Sequence, residues 1–388
     1  MAKSATIVFD MRALQAGYKA HKTRGIGVYA RNLARRMSLS PAGLAWIPMF
    51  DPRFENEWLS GFGALPLQPG AVSSVLRPVV REFLTQLLFM RPALDRFARE
   101  QKAGLIFFPT HLDAPPGLCV PYAVTAHDMI QSALRKEHYN SIKHRLHIES
   151  QKKALNGARL VIAISHHTKQ DVIKHAGVDP EKIVVIYNGV DPVFRPGAGE
   201  GFARLTLPEK FVLNVGGIDF RKNISLLLTA FCELSRKHPD YRLVVTGEIT
   251  RDPQYGSFTR MVDKLGLAEK IITTGYVSTE ELAALYNRAR MMFYPSVYEG
   301  FGLPVAEAMA CGAPVISTNC SSIPEVAGEA AILLPPDKPE AFAQALITLA
   351  ENEGERERLK KAGIERAAMF TWEECARKTF EALAAATG

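Results

Sequence analysis

The chain has 388 residues, 47% of them apolar and 22% charged, a length too great for one ordinary domain and suited to two, each able to bury its own core. This composition excludes collagenous, low-complexity and repeat classes, no apolar run approaches the roughly 18 residues of a spanning helix, and five scattered cysteines (Cys119, Cys232, Cys311, Cys320 and Cys375) form neither a disulfide framework nor a C-x-x-C zinc site. Charge is uneven: residues 1–195 carry 26 basic and 15 acidic side chains and the remainder 21 and 25, so the first half asks for an anionic partner, either a membrane surface, a phosphorylated lipid or a nucleic acid.

Met1–Asp10 is one lysine and a short apolar run ending in an acid, which reads as a first core strand and not as a secretory leader. With the cysteine usage, this predicts a cytoplasmic protein. Ala5–Phe9 is expected as a strand and Gly27–Met37 as a helix opened by a glycine turn. Leu44–Phe50, Leu105–Pro109, Tyr122–Ala126, Leu160–Ile164 and Ile183–Tyr187 are short runs apolar on both faces, as parallel strands covered by helices are. Between Val75 and Arg99, Val80, Phe83, Leu84, Leu87 and Leu88 recur at helical spacing among Arg77, Arg81, Arg91, Arg96 and Arg99. That pattern fits an interfacial amphipathic helix. The commoner source of such a pattern is an ordinary core-facing helix with a solvated basic face.

Asn188–Phe202 contains Asn-Gly, Asp-Pro, Arg-Pro and several further glycines, a turn-rich linker. The strand–helix pattern then restarts, with strands expected at Phe211–Val215, Arg242–Thr246, Ile271–Thr274, Met291–Tyr294, Pro314–Ser317 and Ala331–Leu334. Pro339–Thr387 reads as nearly all helical. The fold class is α/β, with two doubly wound Rossmann-like domains, over 1–195 and 203–370, facing each other across a cleft where ligands meet the carboxyl ends of strands.

The most informative string is Tyr298-Glu299-Gly300-Phe301-Gly302-Leu303-Pro304-Val305-Ala306-Glu307, which follows an expected strand and opens a helix. A helix N-terminus offers N–H groups and partial positive charge to a phosphate, and Pro304 suits its first turn. Two carboxylates beside that end would repel phosphate unless they point elsewhere, and hydroxyl groups of a sugar and a ribose are natural partners for them. The plain alternative is a capping Glu299 and a surface Glu307.

The E-x7-E spacing within E-G-F-G-L-P-x-x-E-A-M-A-C-G-x-P-V-I resembles retaining glycosyltransferase family 4, of the GT-B fold. So do T-R-G-I-G-V-Y near the N-terminus, His127-Asp128, I-x-N-G-V-D, G-G-I-D-F-R-K-N, G-Y-V-x-x-E-E-L and S-S-I-P-E-V-A-G. The set spans nearly the whole chain, and its nearest likeness is to bacterial O-antigen and exopolysaccharide mannosyltransferases. The resemblance implies that Glu299 binds hydroxyls of the transferred sugar and that Glu307 binds the ribose. Backbone amides of Phe301, Gly302 and Leu303 would meet the diphosphate and sugar, and Arg221 and Lys222 the diphosphate. The loop of Gly25 and Gly27 would lie near the donor phosphate and acceptor, Gly217 and Val277 in the donor site, and His127 beside the transferred sugar. The segment 372–388 would be a helix crossing back to the first domain. One departure stands out: many family members have Gly-Arg where this chain has Gly216-Gly217, so an arginine–phosphate contact is missing unless the R-K-N string supplies it.

Retention is expected by front-face attack, the leaving phosphate accepting the acceptor's proton. The absence of any D-x-D string points to a metal-independent enzyme with no cofactor beyond its nucleotide-sugar co-substrate. GDP-mannose is the expected donor, with GDP-rhamnose close to it and UDP-glucose or UDP-N-acetylglucosamine as the alternative. A polyprenyl-diphosphate-linked glycan at the inner membrane face is the expected acceptor. A nucleic-acid partner is not expected, because no nucleic-acid motif accompanies the basic half. Against a nicotinamide oxidoreductase stands the loop itself: Gly25-Ile26-Gly27 is followed by Tyr29-Ala30, without the full G-x-G-x-x-G. The remaining alternative is an inactive nucleotide-sugar-binding scaffold.

Overall fold

A computed structural model describes residues 5–18, 25–55, 57–67, 85–134, 141–199 and 207–388. The chain divides into two compact units, Met1–Asn188 with Trp372–Gly388, and Gly189–Thr371. The division falls before the expected end of the first domain at 195 because the residues after Asn188 pack into the second unit. There the Val190 N–H donates to the Phe370 carbonyl at 2.9 Å, Phe194 lies edge-on to Tyr286, and the Gly197 N–H donates to Asn287.

The first unit holds a seven-stranded parallel sheet. Its strands are β1 (Ala5–Asp10), β2 (Leu44–Phe50), β3 (Leu65–Pro66), β4 (Leu105–Phe108), β5 (Tyr122–Ala126), β6 (Leu160–Ala163) and β7 (Ile183–Val185), in the order β3-β2-β1-β4-β5-β6-β7. In register, Val8 lies beside Ile106, and Phe107 beside Ala123. The order reverses between β1 and β4, so those two strand ends form the switch point at which ligands of such sheets bind. One core lies beneath each face. Val8, Ile106, Val124 and Val161 point to one, and Ile7, Phe9, Phe107 and Ile162 to the other. The C-terminal helix Trp372–Ala385 completes the second of these cores: Trp372 lies edge-on to Tyr29, and Phe380 to Trp46.

The second unit repeats the plan with six parallel strands: β8 (Phe211–Asn214), β9 (Arg242–Val245), β10 (Ile271–Thr273), β11 (Met291–Tyr294), β12 (Val315–Thr318) and β13 (Ile332–Leu334). Their order is β10-β9-β8-β11-β12-β13, with the switch point between β8 and β11. The apolar runs dictate this layout, since β8, β11 and β12 are buried along their whole length.

The expected strands lie within about two residues of the observed ones, as boundaries read from sequence do. The two-residue β3 has no counterpart in the expectation, being too short for any periodicity. The first helix begins at Gly25 and ends at Arg35, earlier than its apolar pattern suggests, and a 3-10 turn Met37–Leu39 follows.

Of the basic segment 75–99, residues 75–84, and with them Val80, Phe83, Leu84, Arg77 and Arg81, lie outside the described residues, as does the side chain of Leu87. The described part is a π-helical turn Thr85–Met90 and the helix Arg91–Glu100, whose Ala93, Leu94, Phe97 and Ala98 pack into the first core while Arg96 is exposed. Over that stretch it is a core-facing helix with a basic outer face. Among the described residues no helix is long and apolar enough to cross a membrane.

Candidate functional site

In the second unit the chemistry-bearing residues collect at the carboxyl ends of β8 and β11. Beyond β8 the chain turns through Gly216 and Gly217, at φ +95° and +78°. A short 3-10 turn Phe220–Lys222 follows, capped by Asp219, which accepts from both the Arg221 N–H and Nε at 2.9 Å. A Cβ on Gly216 would stand 3.3 Å from Lys222 Nζ, so this glycine leaves room for the buried amine. Gly217 donates to the Thr246 carbonyl at 3.0 Å, and Gly247 donates to the Gly275 carbonyl at 2.9 Å. The loops after β8, β9 and β10 thus form one backbone layer. Val277, half-buried, sits in its outermost loop, beside exposed Tyr276 and just before the capping box of the helix Thr279–Arg288.

Lys222 and Glu299 meet inside this layer. Lys222 Nζ donates to Glu299 Oε1 at 2.8 Å, contacts the Tyr294 hydroxyl and lies over the Tyr294 ring, 4.4 Å from its centre. The same Oε1 accepts from the Tyr294 hydroxyl at 2.7 Å and the Ser296 hydroxyl at 2.6 Å. Arg221 Nη1 stands 3.7 Å from Oε2. The backbone of Glu299 is clamped too: its N–H donates to Ser321 Oγ and its carbonyl accepts from Ser322 Oγ, both at 2.9 Å. Burial pushes the Glu299 carboxyl up, but the charges of Lys222 and Arg221 and the hydrogen bonds outweigh it and hold the pKa at about 2. Burial lowers the Lys222 ammonium, against the opposing pull of Glu299. A capping or surface role for Glu299 is thereby excluded.

Eight residues on, the environment is the opposite. Glu307 lies on the helix Leu303–Ala310 and has one hydroxyl donor, Tyr286, at 3.1 Å. Desolvation pushes its pKa up to about 7, with the Tyr286 bond opposing and Asp191 adding to the rise. Among the described residues no side chain caps the start of this helix, where Gly302 takes φ +96°. Leu303 is half-buried at its first position. The Phe301 ring is buried edge-on against Phe370, so only the backbone of Phe301 can face a ligand.

In the first unit His127 follows β5 and is 9% exposed. Its Nε2–H donates to the Pro109 carbonyl at 2.8 Å, which leaves the lone pair of the neutral ring on Nδ1. The ring stands edge-on to Tyr29, the tyrosine of the Gly25-Ile26-Gly27-Val28-Tyr29 string, and the hydroxyls of Tyr29 and Thr125 share a hydrogen bond. The structure therefore joins the glycine helix to His127. Gly27 is buried. Gly25 is exposed, with no left-handed φ, and a Cβ added there would meet no atom of the described residues within 4 Å, so nothing among the described residues requires glycine at that position.

Sequence reasoning missed His111, beyond β4, whose pKa burial lowers to about 4 with His127 adding and Asp128 opposing. It also missed a buried network at the ends of β1 and β4. There Arg12 pairs with Asp10 at 2.7 Å and donates to the Asp113 carbonyl, while the Tyr18 hydroxyl donates to Asp113 Oδ1. Among the described residues no group of three or more His, Cys, Asp or Glu could hold a metal ion.

Residues 23–194 match the family described as Glycosyltransferase Family 4, and residues 200–366 match Glycosyl transferases group 1. The chain is a family 4 glycosyltransferase. This glycosyltransferase is 28% identical over 294 residues to the Escherichia coli O-antigen chain mannosyltransferase B, covering 73% of this chain and 77% of that one. It is 27% identical over 300 residues to the Escherichia coli serotype-specific mannosyltransferase WbdA, covering 71% of this chain but 35% of that protein, so it spans about a third of WbdA. Among solved structures, sucrose-phosphate synthase from Thermosynechococcus elongatus superposes with a TM-score of 0.78 at 22% identity, over 98% of both chains. Anabaena Alr3699/HepE in complex with UDP and glucose does so with a TM-score of 0.74 at 17% identity, over 98% of this chain and all of that one. The fold is GT-B.

Proposed function

We propose that this glycosyltransferase moves mannose from GDP-mannose, with retention of configuration, onto a lipid-linked glycan in bacterial polysaccharide or O-antigen synthesis. The observation that carries this reading is the pair of carboxylates eight residues apart in opposite environments, beside two cations at a strand-order switch point. Glu299, ionised and braced, accepts hydroxyls of the sugar. Glu307, short of donors, accepts the two hydroxyls of the ribose. Arg221 and Lys222 meet the diphosphate together with the backbone of Phe301, Gly302 and Leu303 at the uncapped helix start, and the glycine layer through Gly217 and Val277 takes the nucleoside. As the sugar–phosphate bond breaks, negative charge grows on the leaving nucleoside diphosphate, and the fixed cations stabilise that state more than the ground state. The leaving phosphate takes the proton of the attacking hydroxyl on the same face. We assign His127 to the sugar, and Gly25 and Gly27 to the phosphate and acceptor. No metal and no cofactor beyond the donor are needed in this scheme, because the cations and the helix end carry the charge.

The mannosyltransferase names of the curated relatives favour GDP-mannose, whereas the UDP and glucose of the HepE complex support a UDP-sugar as the alternative donor. The acceptor we propose is a polyprenyl-diphosphate-linked glycan at the cytoplasmic face of the membrane, approached by the basic first half. One experiment separates these readings: nucleoside diphosphate release and thermal stabilisation with GDP-mannose, GDP-rhamnose, UDP-glucose and UDP-N-acetylglucosamine, all in EDTA. Release of GDP with stabilisation by GDP supports the proposal. A response to UDP alone replaces the donor, no response to either moves the protein to a binding scaffold, and failure of anionic vesicles to retain the protein at low salt removes the membrane.

A further inference from the structure

Glu299 Oε1 takes three donors of two kinds. Lys222 is a cation on the turn after β8, at 2.8 Å, while Tyr294 and Ser296 are neutral hydroxyls from the end of β11, at 2.7 and 2.6 Å. Both hydroxyl residues are fully buried, Tyr294 as the last residue of β11 and Ser296 two residues beyond it. Ser296 Oγ also lies 3.2 Å from the Arg221 carbonyl and 3.4 Å from the Tyr298 carbonyl, but its one proton goes to the carboxylate, the shortest and charge-assisted of the three. Three donors saturate Oε1. Oε2 faces Arg221 at 3.7 Å, beyond hydrogen-bonding distance.

The two kinds of donor differ in what a donor substrate does to them. A diphosphate carries more negative charge than Glu299 and competes for Lys222. The hydroxyls are neutral, so the charge of the diphosphate does not draw them off the carboxylate. We infer that Tyr294 and Ser296 are positioning residues: they hold Glu299 Oε1 so that Oε2 is the oxygen presented to a hydroxyl of the transferred sugar, and they keep it there once Lys222 turns to the diphosphate. Without them the carboxylate would lose its anchor at the moment the cation leaves, in a site where an unbraced charge is costly. This inference rests on the proposed sugar-binding role of Glu299.

The test uses the full chain and four variants: Tyr294→Phe, Ser296→Ala, Glu299→Gln and the Tyr294→Phe/Glu299→Gln double. Tyr294→Phe keeps the ring under Lys222, and Ser296→Ala is an independent second removal should the first fold poorly. Nucleoside diphosphate release from GDP-mannose and from UDP-glucose gives kcat and KM, calorimetry with GDP and UDP gives Kd, and kcat is followed against pH. Each single hydroxyl removal is expected to lower kcat by about 10- to 100-fold, the loss of one hydrogen bond to a charged group. Nucleoside diphosphate Kd should stay within about twofold, since that contact is not made by Glu299. The acidic limb of the kcat profile should move to higher pH, and Tyr294→Phe should add nothing to Glu299→Gln. An impaired Glu299→Gln beside a Tyr294→Phe that turns over like the parent, or losses that add in the double variant, overturn the positioning role alone. A fully active Glu299→Gln, or a parent that turns over neither donor, overturns the donor reading and this inference with it.

Discussion

The Tyr286 hydroxyl donates to Glu307 Oε2 at 3.1 Å, on a carboxyl whose pKa desolvation raises to about 7. Both oxygens of the carboxyl can accept from a ribose diol only when the group is ionised, because protonation turns one of them into a donor, so nucleoside diphosphate affinity should rise between about pH 6 and pH 8. The folded-state pKa lies above the ordinary glutamate value of 4.5, so the folded chain holds this proton longer than the unfolded one. Its contribution to stability is present below about pH 4.5 and falls as pH rises toward 7. Glu307→Gln should flatten both dependences. Calorimetric titration with GDP and UDP at four pH values, with melting curves in the same buffers, checks this. An affinity that is independent of pH in the parent chain removes Glu307 from the nucleoside site.

The buried pair Lys222 and Glu299 makes a different prediction. Glu299→Ala leaves the Lys222 charge buried and should cost about 3–5 kcal/mol, as breaking one side of a buried pair does, whereas Glu299→Ala with Lys222→Met should recover much of that loss. The Glu299 pKa is depressed to about 2, so its contribution is fully present above about pH 4.5 and is lost as pH falls toward 2. Denaturant unfolding of the parent, both single variants and the double between pH 3 and pH 7 measures the coupling directly. Additive losses would mean the pair is not coupled.

How far these residues could be read beforehand depends on the kind of interaction. Every strand but the two-residue β3 was legible because runs such as Phe211–Asn214 and Met291–Tyr294 are apolar on both faces, and the order of loops along the chain then puts Gly216, Lys222 and Glu299 at strand ends. What surrounds Glu299 was not legible. Tyr294 closes an apolar run and reads as core. Ser296 reads as turn, and the backbone clamp from Ser321 and Ser322 comes from 22 and 23 residues away. The Arg12–Asp113 contact spans 101 residues and has no periodic signature at all. Burial of a polar side chain is a tertiary property, and local pattern carries no signal for it.

The glycine layer predicts a graded response. Both Gly217 and Gly247 have left-handed φ, +78° and +115°, so alanine at either is strained. At Gly217 nothing among the described residues lies within 4 Å of the added Cβ, and Gly217→Ala should cost about 1 kcal/mol, the backbone term alone. At Gly247 the Cβ would lie 2.9 Å from the Gly217 N–H nitrogen, so Gly247→Ala must move backbone and should cost more and weaken nucleoside diphosphate binding as well. Melting temperature and Kd for the two variants, measured side by side, test the order. Equal losses would mean the two loops move apart freely.

In the first unit, Arg12 and Asp10 are each 1% exposed and paired at 2.7 Å, and Arg12 also holds the turn at Asp113. Arg12→Met leaves Asp10 without its cation and should destabilise this unit by about 3–5 kcal/mol. Asp10→Asn with Arg12→Met should be milder, because no charge is then stranded. Every residue proposed to contact the nucleoside diphosphate belongs to the second unit apart from the glycine loop, so the Kd of Arg12→Met for GDP or UDP should stay near the parent value at temperatures where the first unit is still folded. Turnover onto an acceptor should fall with the first unit's unfolding. Hydrogen exchange on the variant resolves the two units separately. Protection lost evenly across both sheets would show that the Asp10–Arg12 pair supports the whole chain and not the first sheet alone.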